Sequence, residues 1–193
     1  MTEMQYAGFW RRFGALWLDF LIMSPVFVLV WWGLGNFRLF QVFYFLPGIA
    51  FGLFYSVYLV QRFGGTPGKR LMKIRILQVS GEPVGYKHAS YRYGPGFVFG
   101  LMASLAMVSA VLSLSDAEYH SVASIQERQA MLNSARPVWG AYVDIILNLW
   151  VWSEFIVMMT NKKRRALHDF LAGTVVVRDA PITEEQTPSL TEA

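Results

Sequence analysis

Four apolar segments, each long enough to cross a lipid bilayer as a helix, constrain this chain more than any other feature of its sequence. They lie at about residues 13–33, 40–60, 96–115 and 138–159. A helix needs about 20 apolar residues to cross a ~30 Å hydrocarbon core. Because 54% of the residues are hydrophobic and only 16% are charged, the composition excludes an ordinary soluble domain. The sequence predicts an all-α polytopic membrane protein with four transmembrane helices.

Basic residues are distributed unequally between the two sides of the predicted bundle. One side has only Arg38, Arg128 and Arg136, whereas the other has Arg11, Arg12, Arg62, Lys69, Arg70, Lys73, Arg75, Lys87, Arg92, Lys162, Lys163, Arg164, Arg165 and Arg178. Because lysine and arginine favour the cytoplasmic side, we predict cytoplasmic termini, a cytoplasmic loop at 61–95 and a location in the plasma (inner) membrane. This asymmetry accounts for the net charge of +4, so we expect no nucleic-acid partner.

The cytoplasmic loop is expected to contain a small β element. Met72, Ile74 and Ile76 alternate with basic residues, which predicts a short strand, and turn-forming residues follow it. A second strand is predicted at 174–178, after a helix that ends at Gly173. The two strands could pair with each other at the membrane surface.

The remaining segments are assigned from their composition. The loop at 116–137 is expected to form a short surface helix between residues 117 and 133. Residues 1–178 are expected to form one membrane domain. The acidic, proline-containing tail at 179–193 is predicted to be disordered.

A carboxylate inside an apolar helix needs a partner, and the first segment contains Asp19. Arg12 lies seven residues earlier in the sequence, which is about two helical turns, so the two side chains share one face. An acid near the middle of a membrane costs roughly 2.5–3.5 kcal/mol, so this face must point into the bundle. We expect Asp19 either to form a structural ion pair with Arg12 or to take part in an ion path.

The fourth segment carries three more polar side chains, those of Asp144, Asn148 and Glu154. Asp144 and Asn148 are four residues apart and share one face, and Glu154 should lie at about the depth of Asp19. Two neighbouring carboxylates at low dielectric share a proton or bind a cation. The alternative is that each acid is neutral or pairs with an interfacial arginine, and holds helices together.

Small residues recur at every fourth position in the second and third segments. They are Gly48, Gly52, Ser56, Gly96, Gly100 and Ser104. This pattern lets transmembrane backbones approach closely, so it predicts helix packing or an interface between two copies. The alternative is a substrate path lined by the exposed backbone.

The sequence does not predict an enzyme. The glycine-rich run at 64–69 lacks the spacing of a phosphate-binding loop, because Arg70 follows Lys69, and it is interpreted as a turn. His168 and Asp169 are adjacent, so on a helix they point about 100° apart, and we expect Asp169 to pair with Arg12 or a loop arginine. With no cysteine and three scattered histidines, we expect no cofactor and no metal site.

Three motifs, in sequence order, resemble those of the RDD family of membrane proteins, which is named for one arginine and two aspartates. They are Arg12-Phe13-Gly14-Ala15 followed by Asp19, Gly65-Thr66-Pro67-Gly68-Lys69-Arg70, and Leu167-His168-Asp169 followed by Ala172-Gly173-Thr174-Val175-Val176-Val177. The resemblance covers about residues 6–178. It assigns the arginine to Arg12 and the aspartates to Asp19 and Asp169. It implies a transporter, with cation/proton exchange proposed for some members.

These observations together favour an ion-coupled membrane transporter that exchanges a cation for a proton through an intramembrane acid. The candidate residues for transport or ion pairing are Arg12, Asp19, Asp144, Asn148, Glu154 and Asp169. Because four spans are few for alternating access, we expect a homodimer, with the lipid bilayer and protons or monovalent cations as its other partners. The alternative is a non-catalytic membrane assembly or accessory protein whose basic cytoplasmic surface binds a partner or anionic lipid.

Overall fold

The computed structural model describes residues 5–179, most of which are helical. In this part of the chain the elements are α1 (Phe9–Asn36), α2 (Phe40–Leu53), α3 (Leu59–Phe63), α4 (Pro67–Leu71), β1 (Ile74–Gln78), α5 (Tyr86–Ser113), α6 (Asp116–His120), α7 (Ile125–Ala135), α8 (Val138–Thr160), α9 (Leu167–Ala172) and β2 (Thr174–Arg178). A π-helical turn, Phe54–Tyr58, joins α2 to α3. The prediction of a disordered tail falls almost entirely outside the described residues.

Four helical stretches are long and apolar enough to cross a membrane. They are Phe9–Asn36, Phe40–Leu71, Tyr86–Ser113 and Val138–Thr160. They correspond to the four predicted segments, but the first begins before residue 13 and the third begins well before residue 96. Helix α5 starts early because its first turns pack on the sheet, where Ala89 is fully buried. Most large apolar side chains of these helices are exposed, which suits a surface that faces lipid.

The two predicted strands are present and pair with each other. They form an antiparallel sheet in which Ile74 lies opposite Arg178 and Ile76 lies opposite Val176. Ile74, Ile76 and Val176 are fully buried against Ala15 and Ala89 of the helices. The sheet therefore closes one end of the bundle, which we call the sheet end.

Two short helices, α6 and α7, cover the opposite end, which we call the cap end. The prediction of one surface helix over residues 117–133 is wrong, because two separate start signals occur in this loop. Each is a capping box, in which a serine side chain and a glutamate three residues later satisfy each other's backbone N–H groups; the pairs are Ser115 with Glu118 and Ser124 with Glu127.

The cap is also not a simple surface structure, because Tyr119 and Arg128 are buried within it. The guanidinium of Arg128 donates to the backbone oxygens of Gly35, Tyr119 and Val122. These carbonyls lie near the ends of α1 and α6, where oxygen atoms lack helical partners. Arg128 thus fastens the cap to the end of the first membrane helix.

Helix α5 is central in the bundle and packs against α2, α7, α8 and α9, whereas α1 packs mainly against the short helix α4. The approach of α4 to α1 is very close at Gly68. A Cβ added at Gly68 would meet the Ala15 carbonyl oxygen and would lie 2.7 Å from the Asp19 backbone nitrogen. Only glycine fits here, because the obstructing atoms are backbone atoms of a membrane helix.

We expect Gly68→Ala to lower the free energy of unfolding by about 1–3 kcal/mol, the usual cost of overpacking. Thermal unfolding in detergent measures this as a lower Tm. The control is Gly94→Ala in α5, where an added Cβ has no atom within 4 Å. Equal melting temperatures for the two variants would contradict the close contact between α4 and α1.

Candidate functional site

The first of two carboxylates at the sheet end is that of Asp19, which is half-buried. It accepts hydrogen bonds from the Tyr55 hydroxyl at 2.5 Å, the Thr66 hydroxyl at 2.6 Å and the Gly68 backbone N–H at 2.7 Å. Tyr55 belongs to the π-helical turn, and Thr66 and Gly68 belong to the start of α4. Asp19 therefore joins α1 to the end of the second span through donors that are all uncharged.

The second carboxylate at the sheet end is that of Asp169, whose side chain is fully buried. One of its oxygens accepts from Arg92 and from the Thr174 hydroxyl, and the other accepts from Arg12 at 3.0 Å and from the Ala166 N–H at 3.0 Å. The structure thus brings Arg12 to Asp169, and Asp19 has no arginine partner among the described residues. Arg12 and Asp19 share one helix face but have different partners.

Glu154 binds His168, and not Asp19. The Glu154 carboxylate lies 2.6 Å from His168 Nδ1 and also accepts from the His168 backbone N–H at 3.2 Å. Burial lowers the pKa of His168 well below its usual value of 6.5, and the charges of Arg92, Lys69 and Arg12 lower it further. His168 is therefore neutral at pH 7, and its Nδ1 atom faces Glu154. Its Nε2 atom is buried and has no hydrogen-bond partner in the described part of the chain.

Asp144 and Asn148 lie away from this site. Asp144 forms a two-pronged ion pair with Arg136 at 2.8 and 3.1 Å, close to the cap end. Asn148 donates to the Asp144 backbone oxygen at 2.8 Å and is exposed. The expectation that Asp144 pairs with an interfacial arginine fits this contact, and neither residue approaches Glu154 through a described hydrogen bond.

Lys69 lies at the centre of the sheet-end site. Its ammonium is 3.3 Å from the Thr66 hydroxyl, and no carboxylate lies within ion-pair distance of it among residues 5–179. Arg12 and Arg92 approach from α1 and α5, and their charges disfavour a further cation near His168. The site therefore combines three basic side chains with the Glu154–His168 pair.

Two cavities of about 170 Å³ each meet at this site. One, the α5 pocket, is lined by Ser56, Val60, Thr66, Lys69, Ile76, Arg92, Tyr93 and His168. The other, the α1–α8 cleft, lies between the first and fourth spans and is lined by Phe9, Arg12, Phe13, Leu16, Lys69, Arg92, Glu154, Phe155, Met158, Ala166, His168 and Val176. Lys69, Arg92 and His168 belong to both.

Two further cavities continue from the α5 pocket towards the cap. The glycine groove, about 230 Å³, lies between α2 and α5 and shares Tyr93 with the α5 pocket. The α7 cavity, about 400 Å³, lies under the cap and shares Gln41 with the glycine groove. The cavities thus follow one another along the bundle, from the cap end to the sheet end.

The small residues of α5 line this groove instead of contacting another helix. A Cβ added at Gly96 or Gly100 would have no atom within 4 Å, whereas one added at Gly52 would lie 2.5 Å from the Tyr93 hydroxyl. Gly52 therefore makes room for Tyr93, which separates the groove from the α5 pocket. The α5 stripe leaves open space within this chain, which does not fit the prediction of close helix packing at Gly96 and Gly100.

Several residues of the site were not found from the sequence. Lys69 and Arg92 were counted among the basic residues that set topology, and His168 was considered only as a partner of Asp169. A signal for Lys69 was present, since it ends a compact Gly-Thr-Pro-Gly run. Composition, however, cannot distinguish an ordinary turn from a turn that places a lysine against a cavity.

Comparisons with known proteins add a family and one relative of unknown activity. A family model described as the RDD family matches residues 6–173. The uncharacterized protein YckC of Bacillus subtilis (strain 168) is 30% identical over 190 residues, and the alignment covers 96% of this chain and 93% of that protein. No solved structure matches. The matched range includes Asp19, Asp169, Lys69 and the Glu154–His168 pair.

We expect Asp169→Asn to lower the free energy of unfolding by about 3–5 kcal/mol, because it leaves two buried arginines without their shared counter-charge. The measurement is thermal unfolding together with the yield of folded protein after extraction. The control is Asp116→Asn, since Asp116 is 76% exposed in its pair with Arg38 and such a pair contributes about 0–1 kcal/mol. Equal losses in the two variants would overturn this role for Asp169.

The depressed pKa of His168 predicts how stability depends on pH. Below pH 6.5 the unfolded chain binds a proton at His168 and the folded chain does not. The contribution of His168 to the free energy of unfolding is therefore fully present above pH 6.5 and is lost as the pH falls. We expect His168→Gln to reduce the Tm difference measured between about pH 7.5 and about pH 5.5. The control is His120→Gln, an exposed histidine at the cap end. An unchanged pH dependence in His168→Gln would contradict a neutral, buried His168.

Proposed function

This chain belongs to the RDD family, and from that membership we propose that it is an ion-coupled membrane transporter whose route is the series of four cavities. The family and the four apolar helices indicate a membrane protein. The observation that carries the proposal is that each cavity shares lining residues with the next, through Gln41, then Tyr93, then Lys69 with Arg92 and His168. A solute pathway needs adjoining cavities from one end of the bundle to the other, and Tyr93 would have to move to join the glycine groove to the α5 pocket.

The proton is the coupling ion of this proposal, and the Glu154 carboxylate is its carrier. Glu154 lines the α1–α8 cleft beside the neutral ring of His168, so its carboxylate can accept a proton from the cavity. The neutral ring can donate to the carboxylate or accept from the protonated acid. Protonation at this pair would change the charge beside Lys69 and Arg92, and so the affinity of the cavity for an ion.

Exchange of a monovalent cation for protons is the specific form of this proposal, with Asp19 as the cation-binding acid. Asp19 lies directly behind Thr66, which lines the α5 pocket. A hydroxyl both donates and accepts, so Tyr55 and Thr66 could turn their oxygen atoms towards a cation bound at the carboxylate. Oxygen ligands of this kind suit hard cations.

The orientation and assembly of the protein are part of the proposal. We infer that the sheet end faces the cytoplasm, with both termini on that side of the plasma membrane, because the lysines and arginines concentrate there. In a homodimer, a second copy would cover the glycine groove between α2 and α5. Within one chain, no atom lies within 4 Å of a Cβ added at Gly96 or Gly100 in this groove. Alternating access would then involve both copies.

A non-catalytic accessory protein is the second candidate function. It is favoured by the exposed basic side chains of the sheet, since Lys73 is exposed and Arg75 is 50% exposed. A partner protein or anionic lipid could bind this surface. Replacing Lys73 and Arg75 with glutamine would abolish that binding, whereas a transporter would keep its flux.

The acids are tested by proton flux in proteoliposomes under imposed Na⁺, Li⁺ or K⁺ gradients, read with a pH-sensitive dye. We expect cation-dependent flux in the wild type and its loss in Asp19→Asn and Glu154→Gln. Asp144→Asn is the matched control, because Asp144 pairs with Arg136 and lines none of the four cavities. No flux above empty liposomes for any cation, or equal flux in all variants, would overturn the exchange proposal.

The route is tested separately by filling it without changing any charge. Gly100 lines the glycine groove, whereas Gly94 lies on the same helix outside the four cavities, and an added Cβ meets no atom within 4 Å at either position. We expect Gly100→Leu to reduce flux at least tenfold, about 1.4 kcal/mol in barrier height, and Gly94→Leu to retain it. Equal flux in the two variants would exclude the groove as the route.

A further inference from the structure

The α1–α8 cleft has the chemistry of a lipid site, because apolar walls surround a basic floor. Phe13 of α1 and Phe155 and Met158 of α8 form walls between two membrane helices, and Lys69 and Arg12 lie at the floor. The cleft opens where Leu16 is 55% exposed on the apolar surface of α1. A molecule that enters from the membrane would thus meet hydrocarbon-like surface first and positive charge at the end.

The positive side chains at the floor do not all have a direct carboxylate partner, and the Asp19 carboxylate reaches Lys69 only through the Thr66 hydroxyl. Arg12 and Arg92 share one carboxylate, that of Asp169, and Glu154 is engaged by His168. Lys69 then has no carboxylate within ion-pair distance among the described residues. The Nη2 atom of Arg12 is buried, and the described residues give it no acceptor.

An unpaired positive charge at low dielectric is costly, so a counter-ion from outside the chain would stabilise this site. The donors are an ammonium and a guanidinium N–H, which suit the oxygen atoms of a phosphate group. Lys162, Lys163 and Arg164 follow α8 and are exposed at the same end of the bundle. They attract anionic headgroups to the membrane surface beside the cleft.

We propose that the α1–α8 cleft binds one anionic phospholipid, with the headgroup phosphate at Lys69 and Arg12 and the acyl chains along Phe13, Phe155 and Met158. A soluble phosphate would satisfy the donors but would leave the apolar walls uncovered. A zwitterionic lipid would bring its own positive group into a basic site. This inference does not depend on transport, since a bound lipid would stabilise the sheet end of an accessory protein, and in a transporter the lipid would have to leave the cleft before a solute could pass.

The test is native mass spectrometry of the delipidated full-length protein in detergent, titrated with phosphatidylglycerol or with phosphatidylcholine of the same acyl chains. We expect one phosphatidylglycerol to bind in preference to phosphatidylcholine, and Lys69→Gln to weaken that binding about fivefold. Lys87→Gln is the matched control, because it removes the same charge from an exposed position that lines none of the four cavities.

A second variant changes the shape of the cleft and keeps every charge. Met158 is buried at the wall, and Met158→Trp is expected to fill the space of the acyl chains and reduce phosphatidylglycerol binding. It keeps the proposal testable if Lys69→Gln fails to fold. Equal binding of the two lipids, equal weakening in Lys87→Gln, or unchanged binding in Met158→Trp would overturn the proposal. Inorganic phosphate that displaces the lipid at equal concentration would instead identify a soluble-anion site.

Discussion

The contact between the Asp169 carboxylate and the guanidinium groups of Arg12 and Arg92 connects the parts of this protein that are most distant in sequence. Arg12 lies in the first span, Arg92 at the start of the third, and Asp169 in α9 after the fourth. All three side chains are nearly or fully removed from solvent, so the pairing operates at low dielectric. The sheet, the close approach of α4 and the floor of the cleft all lie next to this contact.

The two aspartates at the sheet end have different environments, since Asp19 is half-buried and Asp169 is fully buried, although both hold elements together. Asp19 accepts only from uncharged groups, two of which are hydroxyls that can turn, whereas Asp169 is bound by two arginines, a hydroxyl and a backbone N–H. A carboxylate with charged donors remains ionised and fixed. A carboxylate with hydroxyl donors can exchange its partners at lower cost. This difference is why the cation site is proposed at Asp19 and not at Asp169.

Much of this fold could be predicted from the sequence, because its strongest signals can be read within single segments of the chain. Apolar length gave the four helices, and alternation gave the two strands that pair between residues 74–78 and 174–178. The partners of individual side chains were harder to predict. Helical periodicity places Arg12 and Asp19 on one face, but it does not reveal that α4 reaches Asp19 first through Thr66 and Gly68.

The site at Glu154 and the cap show a second limit of sequence reasoning. Glu154 meets His168 because the chain turns back between α8 and α9, and such a turn leaves no periodic pattern. In the cap, the two serine–glutamate pairs start separate helices, and overall polarity alone suggested one. Local start signals and chain reversals thus decided the details that apolar length could not.

The antiparallel pairing of β1 with β2 also has a consequence for the order in which the protein is made. Synthesis proceeds from the N-terminus, so β1, Arg12 and Arg92 emerge long before Asp169 and β2. During that interval the two arginines have no shared carboxylate, and the edge of β1 has no partner strand. The sheet end can close only after β2 has left the ribosome, so a chain that stops before Asp169 leaves both arginines without their shared carboxylate and β1 without its partner strand.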